Sequence, residues 1–174
     1  MSRLVAALAA LSLYLTAPPL AAQAPATPEG APEVRTDTPS GYRVPRFVSL
    51  KGDKTYCRLG PSFEHPVVAT YLRAGTPALV IAETTDHWRK IRDRDGFECW
   101  VHETTLRALT HVLVDRETAI LAEPEDGAPL RARLAEGVMA QVLRKTARWR
   151  LVSAGGIKGW AREDALWGAS VVPD

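Results

Sequence analysis

The apolar residues of the chain come in short runs separated by turn residues. Between Arg46 and Gly168 these runs are about four to six residues long, and no helical period persists in them. Ala78–Ile81 is one such run, and Asp-Gly and Gly-Gly pairs occur at 95–96 and 155–156. Such pairs adopt the positive backbone angles that two-residue hairpins require. The pattern predicts an all-β chain of short strands.

The same succession of strands and turns occurs twice in this region. Five landmarks recur in one order, and the distance between matching residues drifts only from 63 to 60; Trp88, for example, matches Trp149. Self-similarity at such a period indicates tandem units of one small fold. About sixty residues with about five strands suit a small barrel. We therefore expect two barrels, at 46–109 and 110–170, whose closure leaves no open sheet edge.

The N-terminal part of the chain has a different character. Arg3 precedes an uncharged apolar run at 4–15, followed by two prolines and several alanines, which is the layout of a secretory signal peptide. The run is too short to span a bilayer comfortably. We expect a cleaved signal peptide at 1–24 and no membrane segment in the mature chain. The stretch 25–45 has few large apolar residues, so we expect it to be a disordered linker.

Charge and motifs exclude several classes of function. The chain has 22 basic and 20 acidic residues and a formal net charge of +2, so it lacks the basic excess of an obligate nucleic-acid binder. It contains no glycine-rich phosphate loop, Ser-His-Asp set or paired-carboxylate site. We therefore expect a protein that is not an enzyme and that needs no cofactor or metal.

The first copy resembles a known family in its motifs. Its Cys57–Ser62 start, Leu72–Gly75 turn, Trp88–Ile91 strand and Trp100–His102 strand resemble the bacterial SH3 (SH3b) domain. The second copy is more divergent, with Leu121–Pro124 at the place of the first motif. Two such domains behind a signal peptide resemble exported bacterial SH3 proteins. The resemblance implies SH3-like barrels and a periplasmic or secreted binding role towards a peptidoglycan peptide or an envelope protein, and it implies no catalytic residue.

The chain has two cysteines, Cys57 and Cys99, and both lie in the first copy. Strand alternation puts Cys99 on the inward face, and Cys57 matches the apolar Ile120 of the second copy. An exported chain meets an oxidising compartment, so we expect a disulfide between them. Two buried free thiols are the plain alternative. A cysteine nucleophile with a histidine base and a zinc site are sharper ones, although no Cys-x-x-Cys spacing supports zinc.

Two tryptophans of the first copy are candidates for a ligand groove. Trp88 and Trp100 have the opposite strand parity from the residues expected inside, so we expect both on the outer face or rim. The SH3b resemblance implies that rim aromatics, here with Tyr56, line the groove. The second copy keeps both tryptophans but loses the tyrosine. Packing at the barrel mouth or between the domains therefore stays an equally open interpretation.

Other conspicuous residues receive structural interpretations. Trp167 is expected to be a plug or a contact between the barrels, and His65 and His111 are expected to be ordinary surface residues. Charges alternate along one predicted hairpin, which is typical of a solvated segment; a site for an acidic ligand is the alternative. The charged residues of that hairpin are Arg89, Lys90, Arg92, Asp93, Arg94 and Asp95.

Two classes of function remain open at this point. In the first, the aromatic face of the first copy holds a wall peptide or an envelope protein, and basic neighbours meet a carboxylate. In the second, the protein is architectural, and its barrels pack on each other or self-associate. The residues of the expected binding site are Tyr56, Arg58, Trp88, Lys90, Trp100 and His102.

Overall fold

The computed structural model describes residues 33–170, and they form the predicted all-β structure. Two single-turn 3₁₀ helices, Glu103–Thr105 and Glu163–Ala165, interrupt the strands. The strands are β1 Arg46–Leu50, β2 Thr55–Arg58, β3 Val67–Tyr71, β4 Pro77–Glu83, β5 Trp88–Arg92, β6 Glu98–His102, β7 Leu106–Ala108, β8 His111–Val114, β9 Thr118–Leu121, β10 Leu130–Leu134, β11 Met139–Lys145, β12 Trp149–Ala154, β13 Ile157–Arg162 and β14 Leu166–Trp167.

The strands form two seven-stranded sheets with the same internal order. The first sheet runs β3-β2-β6-β5-β4-β1-β7, and the second runs β10-β9-β13-β12-β11-β8-β14. Each strand of the second sheet therefore has the position of the strand seven places earlier in the chain. This shared order confirms the internal repeat. We call β1–β7 the first domain and β8–β14 the second domain.

The sequence predicted closed barrels, but neither sheet closes in the described residues. Each order begins and ends with a different strand, and β3 and β7 form no hydrogen-bonded ladder with each other in the described residues. A strand of two or three residues offers few backbone groups for a closing ladder, and one outer strand of each sheet is that short: β7 has three residues and β14 two, against five in β3 and β10. Such short strands limit the unpaired edge that an open sheet presents.

The predicted turns differ in length. Gly155 and Gly156 both have positive φ and join β12 to β13 as a two-residue hairpin, in which Ala154 pairs with Ile157. The Asp-Gly pair at 95–96 lies instead in a five-residue loop between β5 and β6. There the carboxylate of Asp93 accepts the backbone N–H groups of residues 95 and 97, which favours the longer loop.

Each domain has its own apolar core. The core of the second domain includes Ile120, Val152 and Leu166, which are buried residues from three different strands. The core of the first domain consists of Val44, Val48, Leu50, Cys57, Ala78, Val80, Ile91, Cys99 and Val101.

A disulfide joins Cys57 to Cys99, as predicted, across the neighbouring strands β2 and β6. The two Cα atoms are 5.6 Å apart, and both side chains are buried in the first core. Neither cysteine is a free thiol. The bonded sulfurs therefore supply no thiolate for the alternative nucleophile or zinc site.

The second domain fills the same space without a disulfide. Ile120 has the position of Cys57, and Gly159 has that of Cys99. A Cβ atom at Gly159 would lie 2.9 Å from the Cβ of Ile120, which is too close for any larger residue. A bulky apolar side chain opposite glycine therefore replaces the covalent bond.

Part of the segment for which we expected disorder has a defined path. Arg35 and Val44 form a β-bridge with backbone hydrogen bonds in both directions, at 2.7 and 2.9 Å. Val44 is buried in the first core, so this segment buries an apolar side chain although it contains few of them. The expected signal peptide and the first part of the expected linker lie outside the described residues.

The two domains contact each other through aromatic, charged and backbone groups. The ring of Trp167 meets that of Phe47 edge to face at 4.9 Å, which confirms its predicted role as a contact between domains. Arg94 of the first domain pairs with Asp115 and Glu136 of the second, at 2.9 and 2.5 Å.

His111 also belongs to this junction and not to the ordinary surface. Its ring packs on Gly75 so closely that a Cβ there would lie 2.6 Å from Nδ1. Its backbone N–H and that of Thr110 donate to Ser49 Oγ, at 3.4 and 3.0 Å. Burial, together with nearby arginines, lowers the pKa of His111. His65 is exposed, as predicted.

Among residues 33–170, no helix is long and apolar enough to cross a membrane.

Candidate functional site

The predicted site residues share one face of the first sheet. Trp88 lies opposite His102, and Lys90 lies opposite Trp100, which in turn lies opposite Arg58 on β2. The alternate residues of β2, β5 and β6 contribute Cys57, Ile91, Cys99 and Val101 to the core, so strand alternation directs the site residues away from it. We call this face the aromatic strip: Tyr56, Arg58, Trp88, Lys90, Trp100 and His102.

Trp88 has the predicted parity but is not open to solvent. Only 4% of its surface is exposed, because Phe63 and His102 cover it. The centroids of the Phe63 and Trp88 rings are 4.9 Å apart, and the His102 ring lies 5.5 Å from each. Trp88 therefore supports the other two rings and offers little surface of its own.

Phe63 is the most exposed aromatic residue beside the strip, and sequence reasoning missed it. It lies in the loop between β2 and β3 and is 68% exposed despite its contacts with Trp88 and His102. Strand parity cannot place a loop residue. The available signal was a phenylalanine in an otherwise polar turn, Gly60–Pro66.

The cations of the strip differ in their partners. Lys90 pairs with Glu98 at 2.5 Å, and Arg92 pairs with the same carboxylate at 2.6 Å. Hydrogen bonds from Lys90 and Arg92 hold the pKa of Glu98 below its usual range. Lys90 is therefore already neutralised by an acid on its own face, and it is a poorer partner for an incoming carboxylate than the sequence suggested.

Arg58 has no acidic partner within the described part of the chain. Its Nη1 donates to the backbone carbonyl of His65 at 2.7 Å, and its guanidinium lies 5.6 Å from the centroid of the Phe63 ring. These two contacts hold the group beside the exposed ring while leaving its other N–H donors unused. Arg58 is the cation of the strip that is best placed to bind an anion.

Tyr56 extends the strip along β2. It is about half exposed, and the ammonium of Lys54 lies 5.0 Å from its ring centroid. With Phe63 it gives the strip two exposed aromatic rings: Tyr56 is two residues before Arg58 on β2, and Phe63 contacts the Arg58 guanidinium from the loop.

The corresponding face of the second domain is closed by arginines. Arg162 lies opposite Trp149, with its guanidinium 5.8 Å from the ring centroid, and Arg144 lies 5.2 Å from that of Trp160. Both tryptophans are buried. The loop at 122–129 has no aromatic residue that could act as Phe63 does. The repeat therefore preserves the tryptophans without preserving the exposed rings.

One residue of the predicted solvated hairpin is buried instead. Arg89 is 4% exposed, and its guanidinium pairs with Glu83 at 3.2 Å and with Glu103 at 2.5 Å. Arg150 repeats this arrangement in the second domain with Glu163. The recurrence of Trp-Arg followed by glutamate in both copies was the sequence signal for this pair of buried cations.

Arg94, another residue of the predicted solvated hairpin, also has protein partners: it pairs with two acids of the second domain, Asp115 and Glu136.

Within residues 33–170, no group of three or more His, Cys, Asp or Glu side chains is arranged to hold a metal ion.

Comparison with protein-family models agrees with the two-domain architecture. The family described as bacterial SH3 domain matches twice, at residues 51–108 and 114–168. Among solved structures, NlpC2 from Trichomonas vaginalis is 15% identical, with a TM-score of 0.33, over 72% of this chain and 48% of that one. NlpC1 from the same organism is 14% identical, with a TM-score of 0.33, over 72% and 46%.

The chain spans about half the length of those solved structures. A comparison with curated protein sequences finds no match. The two family matches each fall on one of the seven-stranded sheets and together cover more than half of the chain. The chain therefore belongs to the bacterial SH3 domain family and carries two of these domains in tandem.

Proposed function

We propose that this protein is a non-enzymatic binding module of the cell envelope, and that its first domain recognises a wall peptide. Bacterial SH3 domains are generally binding modules for wall peptides or proteins. One observation carries the proposal for this chain: the aromatic strip and Phe63 combine exposed rings with an arginine that has no acidic partner in the described residues.

The chemistry of the strip suits a short peptide that ends in a carboxylate. Tyr56 and Phe63 offer flat apolar surface at a low cost in side-chain entropy. The free donors of Arg58 can bind a carboxylate with two charge-assisted hydrogen bonds. Because Lys90 is already paired with Glu98, we assign the anion contact to Arg58.

The second domain acts as support in this proposal. Its tryptophans are covered by Arg144 and Arg162, and Arg162 is itself paired with Asp126. Leu121 has the place of Arg58 opposite Trp160, so the anion contact is missing there.

The test is retention of the purified protein on peptidoglycan sacculi in a sedimentation assay. Arg58→Gln should weaken retention at least tenfold, because each charge-assisted hydrogen bond contributes about 1.5–3 kcal/mol. Phe63→Ala should also weaken it by about tenfold, as expected for an exposed aromatic contact. The matched control is Arg131→Gln, since Arg131 likewise donates to a backbone carbonyl, that of Lys158, at an exposed position.

The proposal is wrong if wild-type protein does not sediment with sacculi, or if the control loses as much retention as Arg58→Gln. Retention by envelope membranes but not by sacculi would instead favour a protein partner. Thermal denaturation of each variant shows whether a loss of retention reflects unfolding.

We place the protein in the periplasm or outside the cell. The buried disulfide supports this location, because such bonds persist in oxidising compartments. The N-terminal pattern of a charged residue before an apolar run supports it as well. Mass spectrometry of the exported protein should find a mature N-terminus between Leu20 and Pro25, and an intact Met1 would contradict this location.

An architectural role is the second candidate, and the contact between the domains favours it. The Phe47–Trp167 contact and the ion pairs of Arg94 hold one domain against the other. In this case the first domain would present its strip as part of a rigid body and not as an independent binder. Unchanged retention in both strip variants would leave this as the better proposal.

A further inference from the structure

One outer strand of the first domain has an unpaired edge. β3 is the first strand of its sheet, and among the described residues it pairs only with β2. Val67, Val68 and Thr70 of β3 are exposed, and Leu72, which directly follows the strand, is 73% exposed. The backbone groups on the free side of such a strand can pair with a further strand. The first sheet can therefore be extended at β3.

The sequence of this edge lacks the residues that usually prevent strands from pairing. Residues 67–72 include no charged residue, no proline and no glycine, and four of the six are β-branched or aromatic. Uncharged six-residue segments of this kind favour pairing between strands of different chains. Natural sheets usually protect an exposed edge with charged side chains or proline. This edge has neither.

The matching strand of the second domain is protected by charge. β10 has the same position at the edge of its sheet, and it has Arg131 and Arg133 where β3 has Val68 and Thr70. Both arginines are exposed. Each strand has a register shift at its second residue, so charge is what distinguishes the two edges. Two β10 strands side by side would bring like charges together, whereas two β3 strands meet without charge.

The register of β3 shows which residues meet in a pair of copies. Beyond the irregularity at Val68, Ala69 and Tyr71 pack against the first core, and Thr70 lies on the opposite face. Directly opposite residues of an antiparallel pair share one face. A two-fold axis at Thr70 satisfies this condition. It pairs Thr70 with its own copy on the outer face, and Ala69 with Tyr71 of the second copy on the inner face.

We propose that this chain forms a two-fold dimer in which the β3 strands of two copies pair antiparallel about Thr70. The occupant of the edge is a second copy, because a symmetric contact needs a surface compatible with itself, and residues 67–72 are uncharged. Such a contact closes at two copies and forms no fibre. Five residues from each copy make a small interface, so the dimer is weak and depends on concentration.

The dimer also has a consequence for binding, which rests on the proposed function. Thr70 lies opposite Tyr56 in the ladder of β2 and β3, so Tyr56, Thr70 and their copies form one row across four adjacent strands. Adjacent strands are about 4.8 Å apart, which places the two Tyr56 residues about 14 Å apart on one face. The two aromatic strips then form one continuous surface. Two linked sites bind a repetitive polymer more tightly than one.

The first experiment is sedimentation equilibrium of the purified, exported protein over a range of concentrations. Wild type should show a reversible equilibrium between monomer and dimer. Val68→Arg/Thr70→Arg should raise the dimer dissociation constant at least tenfold, because it puts two cations from each copy into the small interface. The matched control is Thr85→Arg/Ala147→Arg, which adds the same charge at exposed turns and should leave the constant unchanged.

The second experiment tests the register by cross-linking. The native cysteines are bonded to each other, so a new cysteine is the only free thiol. Thr70→Cys should give a disulfide-linked dimer on mild oxidation, because the Cβ atoms of directly opposite residues are about 4.5–5.5 Å apart. Arg133→Cys, at the matching position of β10, is the control and should stay monomeric.

A wild type that stays monomeric at every concentration, or that forms larger oligomers, would overturn the proposal. So would an equal loss of dimer in the control, or equal cross-linking of the two cysteine variants. Thermal denaturation checks each variant, and if the double arginine variant unfolds, the cross-linking comparison decides. Neither experiment uses sacculi, so a failure of the wall-peptide proposal would leave the dimer unaffected.

Discussion

At the scale of single residues, each domain buries one arginine, and burying a cation costs free energy unless its charge is compensated. Arg89 and Arg150 both follow a tryptophan, and both donate to the carbonyl of that tryptophan and to the glutamate that begins the 3₁₀ helix after the next strand. A buried cation is tolerated only when acids and carbonyls replace its lost water. These arginines therefore fix the ends of their sheets through charge as well as packing.

We expect Arg89→Met to destabilise the first domain by about 3 kcal/mol, because it leaves Glu83 buried with one cation fewer. Glu83 is only 1% exposed in its side chain. Denaturant unfolding followed by circular dichroism measures the loss. Arg107→Met, at an exposed position, should change stability by less than about 0.5 kcal/mol. Equal effects of the two substitutions would contradict the role given to Arg89.

Sequence reasoning located the strip but not its exposed ring. Alternation along β5 and β6 was enough to place Trp88, Lys90, Trp100 and His102 on one face, since neighbouring side chains of a strand point to opposite faces. It could not show that Phe63 covers Trp88, because the path of a loop depends on contacts distant in sequence. The same limit hid the pairing of Lys90 with Glu98, which belongs to the neighbouring strand.

At the scale of elements, the two domains hold the strands of the same pair together in different ways. In the first, a disulfide links β2 to β6. In the second, Ile120 of β9 packs against Gly159 of β13. The sequence predicted the bond because both cysteines are absent from the second copy. It did not predict that glycine makes room for the isoleucine, since this requires the distance between two strands.

Replacing both cysteines by alanine should lower the free energy of unfolding of the first domain by about 4 kcal/mol. The chain-entropy model gives this value for a bond that closes a loop of 42 residues. The second domain should keep its stability. Chemical denaturation of the C57A/C99A variant, compared with oxidised wild type, measures the difference. A loss below about 1 kcal/mol, or free thiols in unfolded, unreduced wild type, would contradict the expectation.

Acidic side chains on β4 and β6 make the first domain sensitive to acid. Hydrogen bonds from Lys90 and Arg92 lower the pKa of Glu98. Burial of Glu83 opposes ionisation, but hydrogen bonds from Ser40 and Arg46 outweigh it, so its pKa is lowered as well. A carboxyl group with a lowered pKa in the folded state stabilises the fold above its unfolded pKa, about 4.3, and this stability is lost as pH falls through the folded pKa.

The denaturation midpoint of the first domain should therefore fall between about pH 5 and pH 3. Glu98→Gln should flatten this dependence, because glutamine does not titrate. Glu125→Gln, in an exposed loop of the second domain, is the control and should leave the dependence of the first domain unchanged. A wild-type midpoint that is constant over this range would contradict the assignment.

At the scale of the whole molecule, the repeat predicted two domains of one topology but not how they meet. Matching residues such as Trp88 and Trp149 were sufficient to predict that both domains have the same strand order. The junction depends on residues that the repeat does not share, among them Phe47 and His111. The sequence pattern also could not predict whether the sheets close, because it does not fix the length of short outer strands such as β7 and β14.

The junction predicts that the stability of one domain depends on a residue of the other. Trp167 belongs to the second domain, yet its ring packs on Phe47 of the first. An edge-to-face pair contributes about 0.5–1.5 kcal/mol beyond the apolar area that it buries. Trp167→Ala should therefore lower the melting temperature of the first domain and separate the two unfolding transitions in scanning calorimetry.

Trp167→Phe keeps a ring against Phe47 and should preserve most of the coupling. Leu130→Ala removes an exposed apolar residue of the second domain and should leave the first domain unchanged. The transition of the first domain can be identified because reduction of its disulfide shifts it more than that of the second domain. If Trp167→Ala lowers only the transition of the second domain, the contact contributes no coupling. The two domains would then fold as independent units.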